Sequence, residues 1–250
     1  MRIPMLSVVI PSYNEMANLQ KGTLEKVASY LKRKKYDYEV IVVDDASTDG
    51  SLPFVKNWTK ENKNTCLVEN NHTGKAGAVT AGMLKAKGKY ILFTDMDQAT
   101  PIEEVEKLLP FIKDKYDVVI GSRRQRQGAP LSRKLMSKAT IVLRKVMVGL
   151  FAIHDTQCGF KMFRREVAQN LFLDIKKIHH GYKTIKGSAV KAGFDMELLY
   201  LANKKGYRIK EVPVSWLYVE TRRVSPVKDS IEGVLDLISI RINIINGLYG

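Results

Sequence analysis

Three short apolar runs constrain this chain more than any other feature. Leu6–Ile10, Val40–Val43 and Tyr90–Phe93 are rich in β-branched or aromatic residues, and each stops at a polar or acidic cluster. Helical spacing fills the intervals. Leu19, Leu24, Val27 and Leu31 recur on one face, and Lys32, Arg33, Lys34 and Lys35 end that pattern, where cations suit a helix C-terminus. Gly74–Ala86 reads as a helix of small residues, Pro101 starts another, and Cys66–Glu69 and Val118–Ile120 add two short strands. Strands without a polar face, alternating with helices, imply an α/β fold with a mostly parallel central sheet covered on both faces. In such sheets ligands sit beyond the carboxyl ends of the strands. The residues after Ile10, Val43 and Phe93 are therefore expected on one edge.

Each of those clusters has a plain reading and a chemical one. Asp95-Met-Asp97 places two carboxylates one residue apart, which suits a hard divalent cation such as Mg²⁺ or Mn²⁺ bridging to substrate phosphates. Asp is also common in turns. Asp44-Asp45 could bond a nucleoside base and ribose, or simply open a turn capped by Asp49 or Ser51. Pro11-Ser-Tyr13-Asn-Glu15 offers a stacking ring and an acid, or an ordinary strand–helix junction. A turn explains one such acid; it does not explain acids repeated at successive strand ends.

The second half is less regular. Residues 131–153 and 231–248 both show helical apolar spacing, the first with Lys134, Lys138, Arg144 and Lys145 between its apolar positions. In the last segment Ile231, Val234, Leu235, Ile238, Ile242 and Ile245 line one face. Basic amphipathic helices lie in membrane interfaces or pack in cores. Composition bears on that choice. Lys and Arg total 41 against 26 Asp and Glu, a net charge of +15, so the chain is drawn to polyanions. With 250 residues, 45% of them hydrophobic, it can build a real core. Two cysteines, Cys66 and Cys158, make no disulfide framework and point to a reducing compartment. The opening is too short and strand-like for a signal peptide, and no apolar run reaches the length of a membrane span. The expected location is the cytoplasmic face of a membrane, held peripherally.

V-V-I-P-S-Y-N-E, V-V-D-D-A-S-T-D-G, G-K-A-G-A-V-T-A-G and T-D-M-D, in this order and separation, resemble glycosyltransferase family 2, the inverting nucleotide-sugar transferases. The resemblance implies a Rossmann-like GT-A fold. It assigns Pro11, Tyr13, Glu15 and Asp44 or Asp45 to the nucleoside, Lys75 to the diphosphate or sugar, and Asp95, Met96 and Asp97 to the metal and ribose–diphosphate. Asp95 and Asp97 would be the metal ligands. Gly121-Ser-Arg123, Asp155-Thr-Gln-Cys-Gly-Phe-Lys161, Phe194-Asp-Met-Glu and Glu211-Val-Pro-Val-Ser-Trp216 are similar to the polyprenyl-phosphate sugar transferases, and D-T-Q-C-G-F-K to their dolichyl-phosphate β-glucosyltransferase branch. Mannosyl members carry D-A-D-L-Q-H-P, whose Gln touches the metal; here that place is Ala99, with Gln98 one position early.

That likeness implies transfer of a hexose, glucose rather than mannose, from UDP-glucose rather than GDP-mannose, to polyprenyl or dolichyl phosphate. A phosphate monoester, with a second pKa of about 6, attacks without a general base. Ser122, Arg123, Ser132 and Arg133 are the acceptor-phosphate candidates, since a guanidinium presents a fixed fork to phosphate. Arg222 and Arg223 would close over the diphosphate. The expected domain is 1–230, with a donor half to about 120 and an acceptor half beyond it, followed by an amphipathic interface helix at 231–250. A relative using a glycan hydroxyl would need a base, with Asp155 or Asp195 as candidates. A nucleic-acid-binding protein is disfavoured, because no helix-turn-helix, zinc or aromatic RNA-binding pattern is present. Intact acidic clusters argue against an inactive sensor. The four histidines, His72, His154, His179 and His180, lack metal-ligand spacing and read as incidental, the last pair in a loop over the site. Cys158 reads as packing. The number of subunits is left open.

Overall fold

In the computed structural model, residues 3–123, 145–184, 193–217 and 226–249 are described, with backbone only for 226–232. Seven strands form one sheet: β1 (Leu6–Ser12), β2 (Tyr38–Asp44), β3 (Thr65–Glu69), β4 (Tyr90–Thr94), β5 (Val118–Ser122), β6 (Phe160–Arg164) and β7 (Ile209–Pro213). Their order is β3-β2-β1-β4-β6-β5-β7. All neighbours run parallel except β6, which is antiparallel to both β4 and β5. The mostly parallel α/β sheet read from the sequence is therefore present, and strands from both halves of the chain share it.

Alternation along the central strands divides the core in two. Val9, Ile41, Val43, Ile91 and Phe93 face one side, while Val8, Ile10, Val40, Val42 and Leu92 face the other; all are fully buried. The second layer is covered by α1 (Met16–Gln20), α2 (Thr23–Lys32), α3 (Ser51–Glu61) and α5 (Val105–Asp114). The first is covered by α4 (Gly74–Lys85), α6 (Arg165–Ile178), α7 (Gly193–Lys204) and α8 (Pro226–Ile245). Each fully buried large aliphatic side chain contributes roughly 1.5–3 kcal/mol relative to exposure.

Several boundaries differ from the sequence reading. The first helical pattern breaks into α1 and α2 because Gly22 takes φ 71°, yet Leu19, Leu24, Val27 and Leu31 are all buried as expected. Pro101 precedes a 3-10 turn at Ile102–Glu104 that leads into α5. The last strand ends at Pro213, although Val214 N–H still donates to the Ser122 carbonyl at 3.1 Å. Most of the basic helix expected at 131–153 lies outside the described residues; its described part is helical only at 145–148, ending before Gly149 at φ 78°. In α8, Leu237 and Ile240 face inward, while Val234, Leu235, Ile238, Ile242 and Ile245 are exposed. No described helix is long and apolar enough to cross a membrane.

Candidate active site

Ser12 pairs with Asp44, and Asp44 with Glu69, so β1, β2 and β3 end at one level. Val9 opposes Phe93, so Asp95 leaves β4 beside the last residues of β1. The loops beyond are laced by side chains. Asn14, at φ 53°, accepts from Thr48 N–H and donates its own N–H to Ser47 Oγ. Glu15 N–H donates to Ser51 Oγ, and Asp49 accepts from the N–H groups of Met16 and Ser51. Tyr13 and Glu15 are partly exposed at this rim, and Pro11 lies beside them at the end of β1.

The two acids after β2 serve the framework. Asp44 is 1% exposed and accepts from Ser47 N–H at 2.9 Å and Ser47 Oγ at 2.6 Å. Burial raises its carboxyl above the usual range, against those hydrogen bonds. Asp45 accepts from Asn70 Nδ2, Thr73 N–H and Gly74 N–H at 2.6–2.8 Å, anchoring the start of α4 where an acid is favoured. Both carboxylates accept from the protein's own donors.

His72, read from the sequence as incidental, belongs to this rim. Its ring stacks on Tyr13 with centroids 4.4 Å apart, and Nδ1 faces the Asp45 carbonyl at 3.0 Å. A lone His in a polar turn gave no signal by itself. The sheet-edge rule applied to β3, whose following loop carries His72, would have placed it here.

Beyond β4, Asp95 and Asp97 line a cavity of about 150 Å³ with Arg123, Cys158, Gly159 and Trp216. Lys75, in the first turn of α4, reaches Asp95 Oδ1 at 2.6 Å. Burial disfavours that ammonium, but the charges of Asp95, Asp195 and Asp97 outweigh it and keep it protonated well above the ordinary lysine range. Burial raises the Asp97 carboxyl, against a hydrogen bond from Ala99 N–H. The Met96 side chain is buried in the core, 2% exposed. Gln98, one place before Ala99, donates its amide N–H groups to Thr94 Oγ1 and the Asp95 carbonyl. Gly159 is required here, since a Cβ would lie 2.0 Å from Asp95 Oδ2.

The later motifs hold this pocket from behind. Arg123 donates from Nε to Asp155 Oδ2 at 2.7 Å and from Nη2 to Oδ1 at 2.8 Å. Burial would raise the Asp155 carboxyl, but the Arg123 hydrogen bonds and charge hold it at about 2. Glu211 on β7 accepts the N–H groups of His154 and Asp155, fixing that carboxylate. Lys161, fully buried on β6, donates to Asp195 Oδ1 at 2.5 Å and to the Cys158 carbonyl at 2.6 Å. Arg123 thus stands in the pocket wall as expected, but engaged by a carboxylate. Ser122 is fully buried within β5; burial would raise the Glu211 carboxyl, but the Ser122 hydroxyl bonds it and helps hold it below its usual range. Ser132, Arg133, Arg222 and Arg223 lie outside the described residues. His179 pairs with Glu197 at 2.6 Å, His154 with Glu211 at 3.1 Å, and Cys158 packs in the core.

Among the described residues no group of three or more His, Cys, Asp or Glu side chains is set to hold a metal. Asp95 and Asp97 fit a divalent ion whose remaining ligands come from substrate phosphates and water, the usual pattern for Mg²⁺.

Comparison with known proteins agrees with this geometry. Dolichyl-phosphate β-glucosyltransferases from Dictyostelium discoideum, Saccharomyces cerevisiae and Homo sapiens are 31%, 33% and 31% identical over 98% of this chain, which spans 76–77% of their lengths. A mannosyltransferase from Pyrobaculum calidifontis, solved with GDP-Man and Mn²⁺, superposes with a TM-score of 0.64 at 22% identity over 98% of this chain and 65% of its own. Glucosyl-3-phosphoglycerate synthase from Mycobacterium tuberculosis gives 0.64 at 18% identity over 95% and 80%. Both share the fold. Residues 7–172 match the description of glycosyl transferase family 2, and the chain belongs to that family.

Proposed function

We propose that this enzyme transfers glucose, with inversion, from UDP-glucose to a dolichyl or polyprenyl phosphate. The observation that carries the acceptor class is the state of the two candidate bases. Asp155 is locked to Arg123 and Asp195 to Lys161, so neither is placed to take a proton from a sugar hydroxyl. An ionised phosphate needs no such base. The likeness to dolichyl-phosphate β-glucosyltransferases supports the same choice of acceptor and sugar.

On this reading the nucleoside lies at the Tyr13–His72 rim and the diphosphate in the Asp95–Asp97 pocket. A divalent cation, Mg²⁺ or Mn²⁺, held by those two carboxylates would neutralise the leaving diphosphate. Lys75 orients Asp95 and adds positive charge beside the phosphates. Arg123, set by Asp155, gives the wall on the acceptor side a fixed cation. The exposed apolar stripe of α8 is suited to the cytoplasmic face of an anionic membrane, with Arg241 exposed beside it.

The deciding experiment compares UDP-glucose with GDP-mannose as donors and a short polyprenyl phosphate with the free polyprenol as acceptors. UDP release with the phosphate alone, abolished by chelator and by Asp97→Ala, is expected. Comparable turnover of the polyprenol, or full activity in excess chelator, refutes the acceptor or the metal respectively.

A further inference from the structure

The outward face of α8 suits a membrane, but its inward face is fastened to α7 by more than packing. Leu237, Ile240 and Tyr249 share a core with Phe194, Met196 and Leu198. Asp236 Oδ2 accepts the Gly193 N–H at 2.8 Å, at the first residue of α7, where free N–H groups favour an acid. A Cβ on Gly193 would meet Asp236 Cβ at 3.0 Å, so glycine eases this close approach. Past the end of α8, Tyr249 OH donates to Glu197 Oε1 at 2.7 Å.

From α7, two routes lead to the pocket. Asp195 holds Lys161, whose ammonium also holds the Cys158 carbonyl, next to the glycine that makes room for Asp95. Glu197 Oε2 sits 2.6 Å from His179 Nε2, and His179 stacks on Tyr182 at 5.2 Å. Tyr182 OH lies 3.2 Å from Thr80 Oγ1 on α4, the helix that presents Lys75 to Asp95. Both routes converge on Asp95, one through its steric support and one through its cation.

We propose that α8 is a positioning element of the donor pocket, with Asp236 and Tyr249 as positioning residues, separately from any membrane attachment. The proposal rests on the donor reading only in taking the Asp95–Asp97 pocket as the diphosphate site.

The chain has two tryptophans, and a Trp58→Phe background leaves Trp216, in the pocket wall, as the reporter. The test titrates UDP with Mn²⁺ against Trp216 emission and measures acrylamide quenching without nucleotide, which needs no donor. Losing a hydrogen bond to a charged group predicts about tenfold weaker UDP binding in Asp236→Ala and Tyr249→Phe. Quenching of Trp216 should rise in the same variants, with sedimentation on anionic vesicles unchanged. Asp236→Asn keeps an acceptor oxygen and should recover most of the affinity. Wild-type quenching in both Asp236→Ala and Tyr249→Phe overturns the proposal, as does a defect that Asn fails to rescue or that follows vesicle binding. Rising quenching in a protein whose wild type ignores UDP would uphold it and refute the donor reading alone.

Discussion

The two sides of the sheet handle their charged residues in opposite ways. On the β1–β3 side, Asp44, Asp45 and Asp49 are satisfied by hydroxyls and backbone N–H groups of nearby loops. On the β5–β7 side, buried charges answer one another across long sequence distances: Arg123 with Asp155, and Lys161 with Asp195. The first arrangement shapes a rim by turn chemistry and leaves Tyr13, Glu15 and Asp95 accessible. The second forms a rigid backing, because a buried ion is tolerated only while its partner stays in place. On the proposed function, the difference separates residues that would meet the substrate from residues that hold them.

Lys161→Met breaks that backing most severely. It leaves Asp195 buried without its cation, which costs about 3–5 kcal/mol in comparable sites. Asp44→Asn keeps an acceptor for Ser47 and should cost about 1 kcal/mol. Urea unfolding of the two variants measures the contrast, and equal losses would erase it. Replacing both partners, Lys161→Met with Asp195→Leu, should recover much of the stability, since an apolar pair of similar volume needs no charge compensation.

Two glycine substitutions sharpen the comparison with smaller effects. Gly159→Ala sets a methyl 2.0 Å from Asp95 Oδ2, so the carboxylate must move. Transfer should fall about 10–100-fold, as when support around a metal ligand is lost, with little change in Tm. Gly82→Ala instead meets Val9 Cγ1 at 2.3 Å and Val43 Cγ2 at 2.8 Å inside the core. Overpacking there should cost about 1–3 kcal/mol of stability while each folded molecule keeps its activity. Initial rates normalised to folded protein separate the two; matching losses in both assays would show that Gly159 is simply another core glycine.

The sequence was most legible where strand and site coincide. β1, β2 and β4 are continuous apolar runs, so their ends, and with them Asp95 and Asp97, could be placed on one edge without coordinates. β6 was hidden because Phe-Lys-Met-Phe-Arg carries a cation at a fully buried position, and nothing local reveals that Asp195 neutralises it. The burial of Met96 between two half-exposed acids was not legible, because a motif assigns a whole tripeptide whereas successive residues leaving a strand point in different directions. The apolar stripe of α8 was visible, but the helix is apolar on two sides, and spacing alone does not say which side docks. His72 needed the β3 loop to be placed first.

The last effect concerns pH and tests whether the backing acts through charge or through shape. The Asp155 carboxyl sits at about 2 in the folded chain, against an ordinary 3.8, because Arg123 binds the ionised form. The unfolded chain therefore takes up this proton first as pH falls. The stabilisation is complete above the unfolded value and is lost as pH drops through the folded one. The displacement corresponds to about 2 kcal/mol, with modest screening because both side chains are mostly buried. Asp155→Asn keeps the shape and removes the titration. Followed downward from about pH 6, the stability advantage of the wild type over Asp155→Asn should stay level to about pH 4 and then shrink by about 2 kcal/mol toward pH 2. A gap that stays constant through that range would mean that Arg123 is held by geometry alone.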